Sequence, residues 1–427
     1  MIKSVCIAYA HGCIRSEAEI ELLAQYFSAN GLLLQDEIAD AELVLVSACG
    51  FDVCAENTSM KLLRKAFQKK AAAAKLVVVG CLPAINRKVL DEAFGDQVLH
   101  FPAQRLDKLD ELIGAQVPFK EVLEVRDFSH AFVETDIKLK AEQAASIKGV
   151  SQSFNPRARK AFGQLERLVA AFSFNRSTFD KILTRIPQCL QFQFVRQTQH
   201  VVPALLVSRG CQGLCTFCGI PFAVGPLKSL LLETIVNNFK AILDQGNRVI
   251  SLVATDVGAY GQDCGLSVVD LFKRLFAFAE KFELIINDFN PCWLVKYGDE
   301  LIPLLAENAD KIDYILMPVQ SGSEKILALM KRGHTVAGVR EKLMVLKKAA
   351  PGIKVGTHVL VGFPGETDAD FRATVEFLKA LDFYYLKVFK YDDRPGIAAA
   401  RLPDKVSEKV KRRRLLRLIK EFPGLVK

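Results

Sequence analysis

Three cysteines lie within eight residues of one another in the stretch SRGCQGLCTFCGIP, residues 208–221. Cys211, Cys215 and Cys218, here called the central cysteine trio, follow a C-x3-C-x2-C pattern. A structural zinc site needs a fourth Cys or His nearby, and none follows in the next twenty residues. A thioredoxin-like redox pair would use the last two cysteines and leave the first unexplained. A 4Fe–4S cubane fits best, because three thiolates bind three irons and leave one iron open.

A second set of three cysteines is spread over the first hundred residues. Cys13, Cys49 and Cys81, here called the N-terminal cysteine trio, each come after a predicted strand and are each preceded by Gly or Ala. The carboxyl ends of parallel strands meet at one edge of a sheet, so these thiols are expected to converge on a shared ligand. The alternative is three buried cysteines that act as small apolar residues.

The elements that position both trios alternate between strands and amphipathic helices, which predicts an α/β protein. Residues 1–117 contain the predicted strands SVCIAYA, ELVLVSA and KLVVVG, so an N-terminal αβα domain with a parallel sheet is expected. Residues 203–395 contain six predicted strands, the first being ALLVS and the last YYLKVFK. Six strand–helix units predict a partial (βα)6 barrel, with its chemistry at the carboxyl ends of the strands.

Two further segments lack this alternation. Residues 118–202 are rich in Phe and carry thirteen Lys and Arg against eight Asp and Glu, and they are interpreted as a basic connector or inserted module. Residues 396–427 contain the stretch KVKRRRLLRLIKEF and are interpreted as a basic C-terminal helix. This helix is expected either to dock by its Leu and Ile face or to contact nucleic acid.

Composition and charge restrict the class of protein. The chain has 427 residues, half of them hydrophobic and a quarter charged, which is typical of a globular protein. No apolar run reaches the roughly 18 residues of a membrane helix, and the N-terminus lacks the pattern of a signal peptide. We therefore expect a cytoplasmic protein without membrane contacts, in which clustered cysteines bind metal rather than form disulfides. The net charge of +9 is compatible with a polyanionic partner.

The central cysteine trio resembles that of the radical S-adenosylmethionine (SAM) superfamily, in which an aromatic residue, here Phe217, precedes the last cysteine. The resemblance implies that the open iron binds SAM. One electron then cleaves SAM to a 5′-deoxyadenosyl radical, which abstracts a hydrogen atom from the substrate. The six predicted strand–helix units agree with the partial barrel of this superfamily.

The wider pattern is similar to that of the methylthiotransferases, a branch of the radical SAM enzymes whose N-terminal domain holds a second 4Fe–4S cluster on three cysteines. Motifs like those of the family occur in family order over residues 1–115 and 203–415, including HGCIRSEAE, VVVGCL, PVQSGSEKILALMKRG, VGFPGETDADF and YDDRPGIAAARLP. The resemblance implies two 4Fe–4S clusters and SAM as cofactors, with the N-terminal cysteine trio on the second cluster. The implied reaction replaces C–H with C–SCH3.

The resemblance also implies contacts to SAM at the strand ends of the barrel. Gln320 and Ser321 in PVQSGS are expected to hydrogen-bond SAM, and Arg332 in MKRG is expected to meet its carboxylate. Asp256 in ATDVGAYG is expected to face the site. For Arg332 the alternative is a surface cation at the end of a helix.

Departures from the family pattern leave the substrate open. PFAVGPLKSL stands where the family has an Arg-Gly pair and further arginines, and the C-terminal TRAM domain of the family is expected to be missing. CIRSEAE and PVQSGS look closest to the branch that modifies adenosines next to the tRNA anticodon, so such an adenosine is the first hypothesis. The alternatives are a protein or ribosomally made peptide, a different radical reaction, or a non-catalytic cluster protein. A flavodoxin or ferredoxin is expected to supply electrons.

Overall fold

The computed structural model describes residues 2–9, 14–125 and 202–425. Residues 1–127 and 204–427 belong to one compact unit. The predicted connector, apart from residues 118–125 and 202, lies outside the described residues, and so does Cys13. The domain boundaries drawn from the sequence therefore stay predictions.

The N-terminal domain is built on a parallel sheet of five strands in the order β2–β1–β3–β4–β5. The strands are β1 Ser4–Tyr9, β2 Leu33–Leu34, β3 Leu43–Ala48, β4 Lys75–Gly80 and β5 Leu99–Pro102. The helices of this domain are Ile14–Ala29, Val53–Lys69, Leu82–Ile85, Arg87–Phe94, Lys108–Ile113 and Phe119–Val125. The three predicted strands are present. The two short edge strands, β2 and β5, were not predicted, because neither carries the long apolar run of a strand buried on both faces.

The second sheet has six parallel strands in the order β6–β9–β10–β11–β12–β13. The strands are β6 Ala204–Leu206, β9 Val249–Val253, β10 Glu283–Ile286, β11 Ile312–Leu316, β12 Lys354–Val361 and β13 Tyr385–Lys390. Because β6 and β13 are its two edges, the barrel is open, and the predicted partial (βα)6 barrel is confirmed. A separate antiparallel pair joins β7 Ser208–Arg209 to β8 Lys228–Ser229.

Helices lie between the barrel strands, and most of them enclose one large apolar core, while Ile220–Val224 packs with Cys81 and Ile85 instead. The helices are Ile220–Val224, Leu232–Asp244, Val268–Phe276, Pro291–Glu307, Glu324–Met330, Val336–Ala349, Asp368–Ala380 and Glu408–Glu421. Helix Val268–Phe276 shows why such a segment is helical. Ser267 and Asp270 form a capping box that begins the helix at its N-terminus. Its apolar residues then recur at helical spacing and are buried against the sheet.

The C-terminal helix Glu408–Glu421 docks on the barrel through Leu418, which is buried in the barrel core, and through two buried cations. Lys411 and Arg414 are buried, whereas Leu416 and Ile419 are 53% and 41% exposed. Arg414 Nη1 donates to Glu366 Oε2 at 2.6 Å, which compensates the buried charge. The predicted docking of this helix by its Leu and Ile face therefore holds for Leu418, which is buried in the barrel core, and is wrong for Leu416 and Ile419.

Candidate active site

The loop that carries the central cysteine trio, residues 210–219, begins at a turn that requires glycine. Gly210 has φ +74°, and a Cβ atom there would lie 1.8 Å from the carbonyl oxygen of Pro226. Immediately after it, the Cys211 N–H donates to the Gly225 carbonyl at 3.0 Å. The close approach of two backbone segments therefore sets where the first cysteine leaves the barrel.

Replacing Gly210 with Ala is expected to lower the thermal unfolding midpoint and the iron content, because both the positive φ and the backbone clash oppose a side chain. The matched control is Gly265→Ala, since Gly265 has φ +76° but no heavy atom within 4 Å of an added Cβ. The control carries only the cost of the left-handed backbone, about 1–2 kcal/mol. Equal midpoints for the two variants, measured by scanning calorimetry, would contradict the packing argument.

Thr216 fixes the middle of the same loop. Its N–H donates to the Met330 carbonyl at 3.1 Å, and its Oγ1 donates to the Leu329 carbonyl at 2.8 Å. Its own carbonyl accepts from the Ala399 N–H at 2.8 Å. Because Thr216 lies between the second and third cysteines, these bonds hold both thiols at the carboxyl end of the barrel.

A cavity lies at this end of the barrel, where residues from both domains meet. The N-terminal domain contributes Phe51 and Asp52. The barrel contributes most of the remaining wall, chiefly from segments that follow its strands, namely Cys211, Cys215, Cys218, Thr255, Asp256, Asp288, Asn290, Pro318, Gln320, Tyr391, Asp392 and Arg394. His358 and Phe389 lie within strands, and Arg332 follows helix Glu324–Met330. The central cysteine trio and three of the four predicted SAM contacts therefore share one cavity.

Burial makes the thiols of this trio hard to ionise on their own. Burial raises the pKa of Cys211 to about 11 and that of Cys218 to about 12. A bound metal lowers the pKa of such a thiol, because the charge of the ion favours the deprotonated, coordinating form. In the part of the chain that the structure describes, no three His, Cys, Asp or Glu side chains are close enough to hold a single metal ion. The three thiols of the trio line one cavity, where each could bind one iron of a 4Fe–4S cluster.

Arg332 lies inside the cavity, beside the trio. It is 8% exposed, so the alternative of a surface cation is wrong. Its Nη1 donates to Cys215 Sγ at 3.2 Å, and its Nη2 donates to Asn290 Oδ1 at 3.1 Å and to the Pro318 carbonyl at 2.7 Å. A guanidinium held in this way can offer its two remaining donors, on Nε and Nη1, to a carboxylate.

Asp256 lines the cavity, but both of its carboxylate oxygens have donors from the protein. Oδ1 accepts from the Gly258 and Asn290 N–H groups at 3.2 and 3.1 Å, and Oδ2 accepts from Trp293 Nε1 at 2.8 Å. Burial raises the pKa of this carboxyl, although these donors act in the opposite direction. Through these contacts Asp256 holds the segment that carries Asn290, and Asn290 in turn bonds to Arg332.

The structure separates the side chains of Gln320 and Ser321. Gln320 lies four residues beyond the end of β11 and lines the cavity, and its φ of +70° is a strained backbone position of the kind found at functional sites. Ser321 is 1% exposed and is not among the residues that line the cavity. Its Oγ accepts from the Ser323 N–H at 3.1 Å and lies 3.3 Å from Thr374 Oγ1. The SAM contact of Gln320 stays a prediction, and the Ser321 hydroxyl is bonded within the protein.

Several polar cavity residues were not predicted from the sequence, and Thr255 and His358 show why. Thr255 lies two residues after the end of β9, where the strand-end rule applies, but only its neighbour Asp256 was predicted. His358 lies within β12, where nothing in the alternation separates a cavity histidine from a core residue. Burial, with help from Lys387 and Arg332, lowers the pKa of His358 to about 3, so the ring is neutral near pH 7.

The cavity fits the polar end of SAM. Arg332 Nε and Thr255 Oγ1 are buried and have no hydrogen-bond partner among the described residues. A buried polar group without a partner costs about 1–3 kcal/mol, so these atoms favour a ligand that can bond to them. The carboxylate and ammonium groups of SAM are such a ligand, and the neighbouring cysteine thiols are the donors that iron–sulfur clusters use.

Cys49 and Cys81 emerge side by side at the edge of the N-terminal sheet. Ala48 and Gly80 are paired in register, and the Cys81 N–H donates to the Ala48 carbonyl at 3.0 Å. Gly80 permits this approach, since a Cβ atom there would lie 2.8 Å from the same oxygen. Ser59 Oγ accepts from the Cys49 N–H at 2.9 Å and donates to the Cys49 carbonyl at 3.2 Å. Two members of the N-terminal cysteine trio therefore lie at one edge, while the third lies outside the described residues.

The segments that follow Cys81 and Cys218 pack against each other. Cys81, Ile85 and Ala223 are buried in one apolar cluster, and Ala223 lies five residues after Cys218. Helix Leu82–Ile85 packs against helix Ile220–Val224 in the same region. A Cβ atom on Gly219 would lie 3.1 Å from Ile85 Cγ1, so a small residue keeps the two segments close.

An open parallel barrel with a C-x3-C-x2-C loop after its first strand defines a radical SAM enzyme, and the family model described as Radical SAM superfamily matches residues 205–378. A second family model, described as Uncharacterized protein family UPF0004, matches residues 6–101. The fold is similar to that of the radical SAM methyltransferase TsrM from Kitasatospora setae, with a TM-score of 0.60, 15% identity, and coverage of 93% of this chain and 77% of that one.

Curated relatives narrow the class. The chain is 30% identical to a tRNA-2-methylthio-N(6)-dimethylallyladenosine synthase from Acidithiobacillus ferrooxidans, over 97% of this chain and 81% of the relative. It is 29% identical to a probable threonylcarbamoyladenosine tRNA methylthiotransferase from Pyrococcus abyssi, over 92% and 77%. It is 28% identical to the ribosomal protein uS12 methylthiotransferase RimO from Myxococcus xanthus, over 94% and 72%. The chain belongs to the radical SAM methylthiotransferase family, whose cofactors are SAM and 4Fe–4S clusters. No helix in the described residues is long and apolar enough to span a membrane.

Proposed function

We propose that this methylthiotransferase acts in the cytoplasm on a modified adenosine next to the anticodon of tRNA. The observation that carries the proposal is an aromatic wall in the cavity. Phe51 and Phe389 meet edge to face with ring centroids 5.6 Å apart, and His358 and Phe389 meet in the same way at 5.3 Å. Flat aromatic surfaces suit an unstacked nucleobase, which RNA-binding sites commonly hold by stacking.

In this proposal each cysteine trio binds one of the two clusters. Cys211, Cys215 and Cys218 would hold the cluster next to SAM, and Cys13, Cys49 and Cys81 would hold the second cluster. When bound, these groups supply the radical, the sulfur and the methyl group. A protein reductant such as a flavodoxin or ferredoxin would provide the electrons.

The remaining cavity residues bind and orient. Arg332 would meet the SAM carboxylate with the Nε that has no protein partner, while its other nitrogens hold it in place. Gln320 and the neutral His358 would add uncharged hydrogen bonds without changing the net charge of the cavity. Asp256 would keep Asn290 and Trp293 in position behind Arg332.

The outer face of the C-terminal helix supports an RNA partner. Lys411 and Arg414 are used inside the protein. The exposed side of the helix still carries a row of cations, namely Lys409, Arg412, Arg413, Arg417 and Lys420. Such a row suits contacts to phosphates, which position an RNA without reading its sequence.

Deleting this protein from its host is expected to remove a methylthioadenosine derivative from total tRNA, measured by mass spectrometry of digested nucleosides. Complementation with the intact chain should restore the nucleoside, and complementation with Cys218→Ala should not. An unchanged nucleoside profile would reject the tRNA proposal. If the methylthio group were lost from a protein such as uS12 instead, the substrate would be a side chain, as the RimO relative's name says of that enzyme.

A further inference from the structure

A buried ion pair joins the barrel to the N-terminal domain. Arg394, in the segment after β13, pairs with Glu56 in the first turn of helix Val53–Lys69. The two side chains are only 5% and 12% exposed. Breaking such a pair leaves an uncompensated charge in a poorly solvated place, so its geometry is strongly constrained.

Glu56 also connects the two segments that follow the N-terminal cysteines. Asn86 Nδ2 donates to the same Oε2 atom at 2.9 Å, and Asn86 directly follows the short helix that begins after Cys81. Ser59 lies almost one turn further along the helix of Glu56 and bonds to both the N–H and the carbonyl of Cys49. One carboxylate therefore links Arg394 to both cysteine positions.

Arg394 belongs to the cavity wall as well. Its Nε is buried and has no partner among the described residues. Two residues earlier, Asp392 accepts from the Val53 N–H at 3.5 Å, at the start of the helix that carries Glu56. The barrel segment and the N-terminal helix thus meet at two points next to the cavity.

We propose that Arg394 is a positioning residue, which through Glu56 holds Cys49 and Cys81 at a fixed place relative to the SAM cavity. The proposal rests on the predicted role of these two cysteines as ligands of the second cluster. Methylthiolation requires the substrate carbon to meet groups from both cysteine sets. A displacement of about 1 Å between reacting groups can lower a rate about 100-fold. Loss of the ion pair between Arg394 and Glu56 should therefore lower the amount of product while SAM cleavage continues.

The test uses the full-length, reconstituted chain with Arg394→Met, Arg394→Lys and Glu56→Gln. Methyl-labelled SAM allows product to be counted in both the tRNA and the protein fraction, and 5′-deoxyadenosine is counted in the same reaction. We expect the yield of product per 5′-deoxyadenosine to fall about 100-fold in Arg394→Met and less in Glu56→Gln, which keeps an acceptor of the same shape. In the metal-free chain, hydrogen exchange should increase in residues 53–60 and 82–86.

The matched control is Arg274→Met, which removes an exposed pair with Glu233 at 2.7 Å on the outside of the barrel. It should change neither the product yield nor the exchange at residues 53–60. A product yield per 5′-deoxyadenosine that stays at the control value in Arg394→Met and Glu56→Gln would overturn the proposal. So would a loss of iron from Arg394→Lys, because a positioning role leaves the cysteine ligands in place. If replacing Cys49 and Cys81 left the iron content unchanged, these cysteines would not be cluster ligands. That result would contradict the proposed function, whereas an unchanged product yield in the Arg394 and Glu56 variants contradicts only the positioning role.

Discussion

Replacing Cys211, Cys215 and Cys218 together with Ala is expected to abolish cleavage of SAM and to halve the iron content, from about eight to about four per reconstituted chain. These thiols surround Arg332 and the cavity, and Cys215 Sγ accepts directly from its guanidinium. Without them, no described residue replaces three thiolate ligands at that point of the wall. Iron analysis and the amount of 5′-deoxyadenosine after anaerobic reduction measure the two effects.

The complementary variant replaces Cys13, Cys49 and Cys81 with Ala. We expect the same halving of iron but continued formation of 5′-deoxyadenosine, because the central cysteine trio is unchanged. Cys264→Ala is the control, since this thiol is exposed and lies outside both trios. An iron content that stays the same after the loss of all three N-terminal cysteines would show that they hold no cluster.

Replacing Arg332 with Lys is expected to weaken SAM binding about 10- to 100-fold. Lys keeps the positive charge but cannot reach Cys215, Asn290 and Pro318 at once while also offering a donor to a ligand. Hydrogen bonds to charged groups contribute about 1.5–3 kcal/mol each, which corresponds to that range of affinity. Equilibrium binding of SAM to the reconstituted variant, followed by calorimetry, gives the value directly.

The control for Arg332 is Arg340→Lys, because Arg340 is exposed on a neighbouring helix. Iron content should stay the same in both variants, which separates a loss of SAM binding from a loss of the cluster. A SAM affinity in Arg332→Lys equal to that of the control would contradict the assignment of Arg332 to the carboxylate.

Much of the fold follows from local sequence patterns. Alternating strand and helix signals predicted all six barrel strands and the three longer strands of the N-terminal sheet, because buried parallel strands are continuous apolar runs. The same patterns placed the central cysteine trio after the first barrel strand, and Cys49 and Cys81 after β3 and β4. Residues at the ends of parallel strands, where active sites lie in such folds, can therefore be predicted from a single sequence.

The sequence by itself predicted which thiols bind the clusters, and it placed the central cysteine trio, Cys49 and Cys81 at strand ends, since short spacing and strand position are local properties. Only the tertiary structure decided how the neighbouring side chains are used. It buries Arg332 beside Cys215 and turns Ser321 toward Thr374. It also joins Arg394 to Glu56 across 338 positions of the chain. Such contacts depend on residues far apart in sequence, and periodicity along the chain carries no signal of them.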